Sequence, residues 1–181
     1  LPDNTNTLCV GMGLGDKISK KILALNIPKV IDADLFYNKA ILKILKQDNI
    51  VLTPHPKEFC SLLKLTKIAN VDVKTLQENR FYYVSIFTSK FPNVVLLLKG
   101  ANVIISQDDK MYINTFGTNT LSKGGSGDVL SGMIAALLAQ NYTPLEAVIS
   151  GSLAHTLALR KMDINNYALN PKDIIEVLKY L

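Results

Sequence analysis

The sequence predicts an α/β protein built on a mainly parallel sheet, and three observations carry that prediction. Short apolar runs of strand length alternate with segments of helical period. Strand–helix–strand alternation requires right-handed crossovers, which make neighbouring strands parallel. The polar and glycine-rich segments fall just past strand ends, at Gly11–Gly15, Asp32–Asp34, Thr53–Glu58 and Lys99–Ala101. Ligands of open α/β sheets gather beyond the carboxyl ends of the strands. Four such segments converging on one edge would therefore make a cleft.

The elements follow in order. "TLCV" (7–10) is a strand that ends at Gly11. Residues 16–25, "DKISKKILAL", place Ile18, Ile22 and Leu25 at helical spacing. "KVID" (29–32) is a second strand, and "LFYNKAILKILK" (35–46) a second helix with Ala40, Ile41, Ile44 and Leu45 on one face. "IVLT" (50–53) is the third strand, and Pro56 falls where the first position of a new helix would lie, which its fixed φ suits. Residues 72–89 read as a helix with a weaker stripe of Leu76, Tyr83, Val84 and Phe87. "NVVLLL" (93–98) is a strand covered on both faces, and "VIIS" and "MYIN" flank "QDDK" as a hairpin. Val129, Leu130, Met133, Ile134, Leu137 and Leu138 repeat at a helical period. "TPLE" (143–146) and "NPKD" (170–173) are helix starts with a capping residue, Pro at the first position and an acid at the third.

The chain has 181 residues, read as one domain over 1–181. Hydrophobic residues make up 48% and charged residues 19%, a globular composition without a low-complexity tract. No run reaches membrane-spanning length and none resembles a cleavable leader. Cys9 and Cys60 sit among apolar neighbours and read as reduced core thiols, which points to a cytoplasmic protein. The net charge is +5, but the lysines are scattered without aromatic interleaving, which argues against nucleic acid as a partner. A mild positive field suits phosphorylated small molecules. The chain begins at Leu1 and reaches a strand within seven residues, so it reads as a piece of a longer domain.

Five segments can carry chemistry. In "GGSGD" the glycines permit close backbone approach, and the free N–H groups of the following helix make an anion site. Asp128 there fits equally as a capping carboxylate. The segment is no P-loop, because no Lys-Ser or Lys-Thr follows the glycines. "GMGLGD" (11–16) follows a strand but lacks the full dinucleotide fingerprint, so a backbone-lined ligand wall is the better reading. "DAD" (32–34) offers two carboxylates for a turn, a metal or a water. In "LTPHPKEF" two prolines flank His55, with Glu58 one turn later; a lone His and Glu are not a zinc motif. Glu58 could hold Mg²⁺ through a water. Lys99 in "LLLKGANV" can pair a phosphate or simply extend to solvent. His155, in a long apolar helix, reads as a satisfied core residue.

Taken together, "GMGLG", "DAD", "LTPHPKEF", "LLLKGANVII" and "GTNTLSKGGSGDVLSGMIAALLAQ", in this order, resemble the ADP- or ATP-dependent NAD(P)H-hydrate dehydratases of the ribokinase-like superfamily. The resemblance runs from Gly11 to the closing "NPKDIIEVL". It implies a ribokinase-like three-layer αβα fold, N-terminally incomplete in this chain, since family domains carry on the order of a third more before the "GMGLG" segment. It implies repair of hydrated NADH or NADPH to NAD(P)H: phosphorylation turns the ring hydroxyl into a leaving group, and phosphate is eliminated. Asp128 would be the base toward that hydroxyl, with Gly13 and His55 lining the substrate site. Lys99, Gly100, Ala101, Asn102, Val103, Gly125, Ser126 and Gly127 would contact the adenine nucleotide. ADP or ATP is the implied co-substrate and Mg²⁺ the implied cofactor, with Glu58 the candidate to hold it through water. The family likeness also implies a homo-oligomer, a tetramer, and fusion to or pairing with an NAD(P)H-hydrate epimerase domain.

The chain departs from the family pattern at Met12, where Pro is common, at Val103, where Thr is common, and at Lys123, where a small or Thr-like residue is common. A ribokinase-like kinase of a vitamin-precursor alcohol shares the glycine loop, and a nucleotide-binding module without catalysis is a third reading, left open by the missing N-terminal part. His55 between its prolines favours the dehydratase over the kinase.

Overall fold

Residues 1–15, 19–118, 121, 123–162 and 168–181 are described by a computed structural model. Among the described residues six strands form one sheet in sequential order: β1 Leu8–Val10, β2 Lys29–Ile31, β3 Ile50–Leu52, β4 Val94–Leu98, β5 Val103–Gln107 and β6 Lys110–Asn114. The first four are parallel, with Leu8 against Lys29, Lys29 against Ile50 and Ile50 against Val94. β5 and β6 add on antiparallel. The expected hairpin is present, and its turn at Asp108 takes a left-handed φ of 52°.

Period-two alternation sorts the strand residues onto two faces. Ile31, Ile50, Leu52, Val94, Leu96, Leu98 and Ile104 join one core cluster. Helices α2 (Ile41–Ile44), α3 (Pro56–Leu65), α4 (Val73–Glu78) and α5 (Arg80–Lys90) contribute Ile41, Ile44, Phe59, Leu62, Leu76, Val84 and Phe87 to it. Val30, Val51, Val95, Leu97, Val103 and Ile105 face the other way. They meet Leu130, Ile134 and Leu138 of α6 (Ser126–Ala139) and Ala147 and Val148 of α7 (Pro144–Arg160). A last helix, α8 (Pro171–Val177), packs Ile174 against Ala158 and Leu169. The result is the expected three-layer αβα arrangement. No helix among the described residues is long and apolar enough to cross a membrane.

The expected helix starts are present. Thr143 and Glu146 form a reciprocal capping box with Pro144 at the first turn, and Asn170 and Asp173 form another with Pro171.

Three expected helices come out shorter or divided. Of 16–25, only α1 (Lys20–Leu23) is helical among the described residues, and 16–18 lie outside them. The chain beyond it is held by the buried ammonium of Lys29, which donates hydrogen bonds to the carbonyls of Leu25 and Ile27 and to Gln47 Oε1. The expected 35–46 helix is a 3-10 turn (Ala33–Tyr37) followed by α2. Asn38 between them is extended, at φ −102° and ψ 133°, and its side chain accepts from Ala40 N–H. The 72–89 helix divides at Asn79, whose side chain donates to Thr75 O at 3.1 Å. In both cases an asparagine offers the backbone a local alternative to helix continuation.

Candidate active site

The glycine loop after β1 is shaped by what lies beneath it. Gly11 has a φ of +135°, and a Cβ there would sit 1.7 Å from the Asp32 carbonyl oxygen. Only glycine lets the two strand ends pass this closely. Asp34 N–H donates to Gly11 O at 3.2 Å, and Gly15 N–H donates to Asp34 Oδ2 at 2.8 Å. The "DAD" segment thus anchors the loop and holds Gly13 exposed at its crest, with open space around its Cα.

Asp32 is the hub of the sheet edge. It is 2% exposed, and its carboxylate receives Ala33 N–H at 2.9 Å, Ser131 Oγ–H at 2.7 Å and Lys99 Nζ at 2.8 and 2.9 Å on its two oxygens. Ser131 Oγ also lies 3.1 Å from Thr53 Oγ1. The ends of β2, β3 and β4 are therefore tied to the second turn of α6 through one buried carboxylate. Lys99 is committed to this ion pair through two N–H groups, leaving the third of its ammonium donors. It runs past Gly127, where a Cβ would come 3.1 Å from Nζ. The thiol of Cys9 is pushed up to about 11, chiefly by burial and then by the charges of Asp32 and Asp128. Cys9, expected in the core, is half-buried and packs against the second cluster.

His55 turns out to be the cap of α3. Its Nδ1 accepts from Glu58 N–H at 3.2 Å, and Glu58 Oε2 accepts from His55 N–H at 2.8 Å. A neutral imidazole that accepts at Nδ1 carries its proton on Nε2. Nε2 lies 3.3 Å from Glu58 Oε1, and the ring is nearly half exposed. Burial and the Lys99 charge hold its pKa below the usual histidine value. Burial raises Glu58 to about 7, against the opposing pull of the His55 N–H and Lys99.

Helix α6 begins at Gly125, in the left-handed region at φ 85°, and carries Asp128 exposed in its first turn. Between this start and the sheet edge lies a cavity of about 410 Å³. His55, Lys99, Gly100, Ala101, Val103, Ser126 and Gly127, all singled out in the sequence, line it. Gly13, Glu58, Asn102, Gly125 and Asp128 do not; Gly13, Asn102 and Asp128 are exposed, while Glu58 is 6% exposed beneath His55.

The sequence placed Asp32 and Thr53 at the cleft edge but left their partner Ser131 unread; the available signal was a serine in an apolar helical stretch, since a buried hydroxyl needs a partner. The cavity floor adds Lys123, Ser152, His155 and Thr156. Asn114, at the end of β6, donates to Ser152 O at 3.1 Å, Ser152 Oγ at 2.9 Å and Thr156 Oγ1 at 3.2 Å. His155 is buried as expected, and it also reaches Ser126 Oγ at 3.1 Å.

The two perturbed groups push stability in opposite directions. Glu58 binds its proton more tightly in the native state, so it lowers stability as pH rises from about 4.5 to about 7. His155, driven down to about 4 by burial, binds its proton less tightly, so it lowers stability as pH falls from 6.5 to about 4. Glu58→Gln keeps an acceptor for the His55 N–H and removes only the first effect. The variant should match wild type near pH 4.5 and exceed it by about 1–3 kcal/mol at pH 8. Urea unfolding at the two pH values checks this; an equal difference at both would contradict it.

Comparison with known proteins adds an independent line. A family model described as NAD(P)H-hydrate dehydratase matches residues 3–179. The chain is 48% identical over 182 residues to the bifunctional NAD(P)H-hydrate repair enzyme Nnr of Helicobacter pylori, covering 99% of this chain and 38% of that protein. It superposes with a TM-score of 0.78 on the ADP/ATP-dependent NAD(P)H-hydrate dehydratase of Bacillus subtilis, crystallised with ATP and Mg²⁺ and soaked with CoA. That match covers 99% of this chain and 66% of the other at 24% identity, and shows the fold alone. A ribokinase-like superfamily protein of Enterococcus faecalis shares the fold at a TM-score of 0.73 and 23% identity, over 97% of this chain and 62% of that one. The chain thus spans less than two thirds of the length of each of these proteins.

Proposed function

The chain belongs to the NAD(P)H-hydrate dehydratase family, and we propose that it restores hydrated NADH or NADPH to NAD(P)H with ADP or ATP as co-substrate. The observation that carries this reading is the start of α6: a glycine-flanked helix end with Asp128 exposed in its first turn, opening on a cavity bordered by His55 and Lys99.

The residues suit phosphoryl transfer followed by elimination. The N–H groups of Gly125 and Gly127, with the positive end of α6, would stabilise the transferring phosphoryl oxygens, while the Ser126 N–H donates to Lys123 O at 3.2 Å. Lys99, held by Asp32, would supply a fixed positive charge beside them. Asp128 would take the proton of the ring hydroxyl as its oxygen accepts the terminal phosphoryl group. The ring nitrogen then expels phosphate, and loss of a proton from the adjacent ring carbon restores the double bond. Gly13 and His55 would line the ring, with Nε2–H of His55 available to a carbonyl or hydroxyl oxygen.

Mg²⁺ would neutralise phosphate charge, and this site offers it few protein ligands. No group of three or more candidate ligands gathers among the described residues. Mg²⁺ keeps its waters and takes few carboxylates, so it would ride on the phosphates, with Glu58 reaching it through water. A cation there would offset the burial that raises the Glu58 pKa. Assembly as a homo-tetramer, and a fused or separate epimerase partner, complete the proposal; the Helicobacter pylori relative is named as bifunctional.

The test is recovery of reduced-ring absorbance when hydrated NADH or NADPH is mixed with the protein, Mg²⁺ and either nucleotide. Recovery with ADP or ATP is expected. No recovery with either overturns the reading.

A further inference from the structure

We propose that His155 is a positioning residue: it donates to Ser126 Oγ and so turns the Ser126 hydroxyl into the cavity as a donor to a phosphoryl oxygen. The proposal rests on the nucleotide-dependent reading above and adds a residue to it.

The geometry begins with helix packing. At Gly151 of α7 a Cβ would meet Ile134 Cγ1 of α6 at 2.9 Å, so α7 lies close against α6 there. One turn further along α7, His155 reaches back to the first residue of α6. Its Nε2 stands 3.1 Å from Ser126 Oγ, with His155 5% exposed and Ser126 2% exposed. Both residues border the same cavity as Lys99 and Lys123, two positive groups that suit an anionic occupant.

The Thr156 hydroxyl donates to the backbone, 3.1 Å from Ser152 O and 3.0 Å from Leu153 O, and Ser152 Oγ accepts from the Asn114 amide at 2.9 Å. Ser126 Oγ, among the described residues, meets the imidazole instead of a backbone carbonyl.

Burial keeps the imidazole neutral at ordinary pH, with its pKa down at about 4. A neutral imidazole has one N–H and one lone pair, and a serine hydroxyl has one proton to give. The contact therefore has two arrangements. If Ser126 donates to Nε2, only oxygen lone pairs face the cavity, and they repel a phosphate. If Nε2–H donates to Ser126, the hydroxyl proton is released toward the cavity. An anion selects the second arrangement, so its binding is coupled to the imidazole tautomer. A histidine retained only to fill the α6–α7 interface would show no such coupling.

The experiment labels the histidines with ¹⁵N and reads the protonation of Nε2 before and after saturation with ADP or with pyrophosphate. Nε2 should carry the proton with either probe bound. In parallel, Ser126→Ala and His155→Phe should each weaken pyrophosphate binding about tenfold or more, as loss of a hydrogen bond to a charged group does. The double variant should be no weaker than either single one, and His155→Gln, whose amide can donate to the hydroxyl, should recover most of the affinity. An unprotonated Nε2 in the ADP complex overturns the proposal, as does wild-type binding by either single variant. Should His155→Phe fail to fold, the wild-type spectrum alone decides. A wild-type protein that binds neither probe overturns the nucleotide reading itself, which separates the two failures.

Discussion

Asp128→Asn should abolish turnover of the hydrated cofactor while ADP affinity changes little. The side chain is exposed in the first turn of α6 and lies outside the walls of the cavity, so it carries little of the nucleotide site. Asparagine keeps its size and much of its fit to the helix end, but it cannot take a proton. Loss of a general base costs about 10²–10⁴-fold in rate. Stability should fall by less than about 1 kcal/mol, the size of a carboxylate's interaction with a helix N-terminus. Single-turnover absorbance recovery and calorimetric ADP titration check the two halves separately. Near-normal turnover would remove Asp128 from the role of base. Intact chemistry with lost ADP binding would move it into the nucleotide site.

The second large effect is on stability. Asp32→Ala should cost about 3–5 kcal/mol, because removing one member of a buried pair leaves the other charged and unpaired. Here the orphans are more than Lys99. Ser131 Oγ–H and Ala33 N–H also lose their acceptor. The double variant Asp32→Ala, Lys99→Met should recover a large part of that loss, since it removes the stranded charge. Urea unfolding of the wild type and the variants measures both. A single variant that unfolds within about 1 kcal/mol of wild type would show that Asp32 is no hub.

Features governed by neighbours in the chain were legible. The six strands follow from apolar runs a few residues long, and the expected helix starts at Pro56, Pro144 and Pro171 are where the structure has them. Most of the residues read as a nucleotide site lie on one cavity, because strand ends share an edge once the strands are parallel. Helix breaks were less legible. Asn38 and Asn79 each sit in a stretch with a passable apolar stripe, and the choice between continuing a helix and turning depends on a difference of about 1 kcal/mol that the stripe does not report.

The sequence by itself determined the layers and the edge. Alternation at period two, crossover handedness and capping chemistry are local, and together they send Gly11, Asp32, Thr53, Lys99 and the "GGSGD" loop to one side of the sheet. Only the tertiary structure decided what those groups do to one another. Lys99 stands 67 positions from Asp32 in the chain, Ser131 stands 99 from it, and His155 stands 29 from Ser126. No periodicity carries such pairings, because a buried polar group is satisfied by whatever donor or acceptor the packing of two elements brings within about 3 Å. A lysine that could have been a free phosphate ligand is thus half of an ion pair. A histidine that could have been inert packing stands against the first residue of the helix that would hold the phosphate.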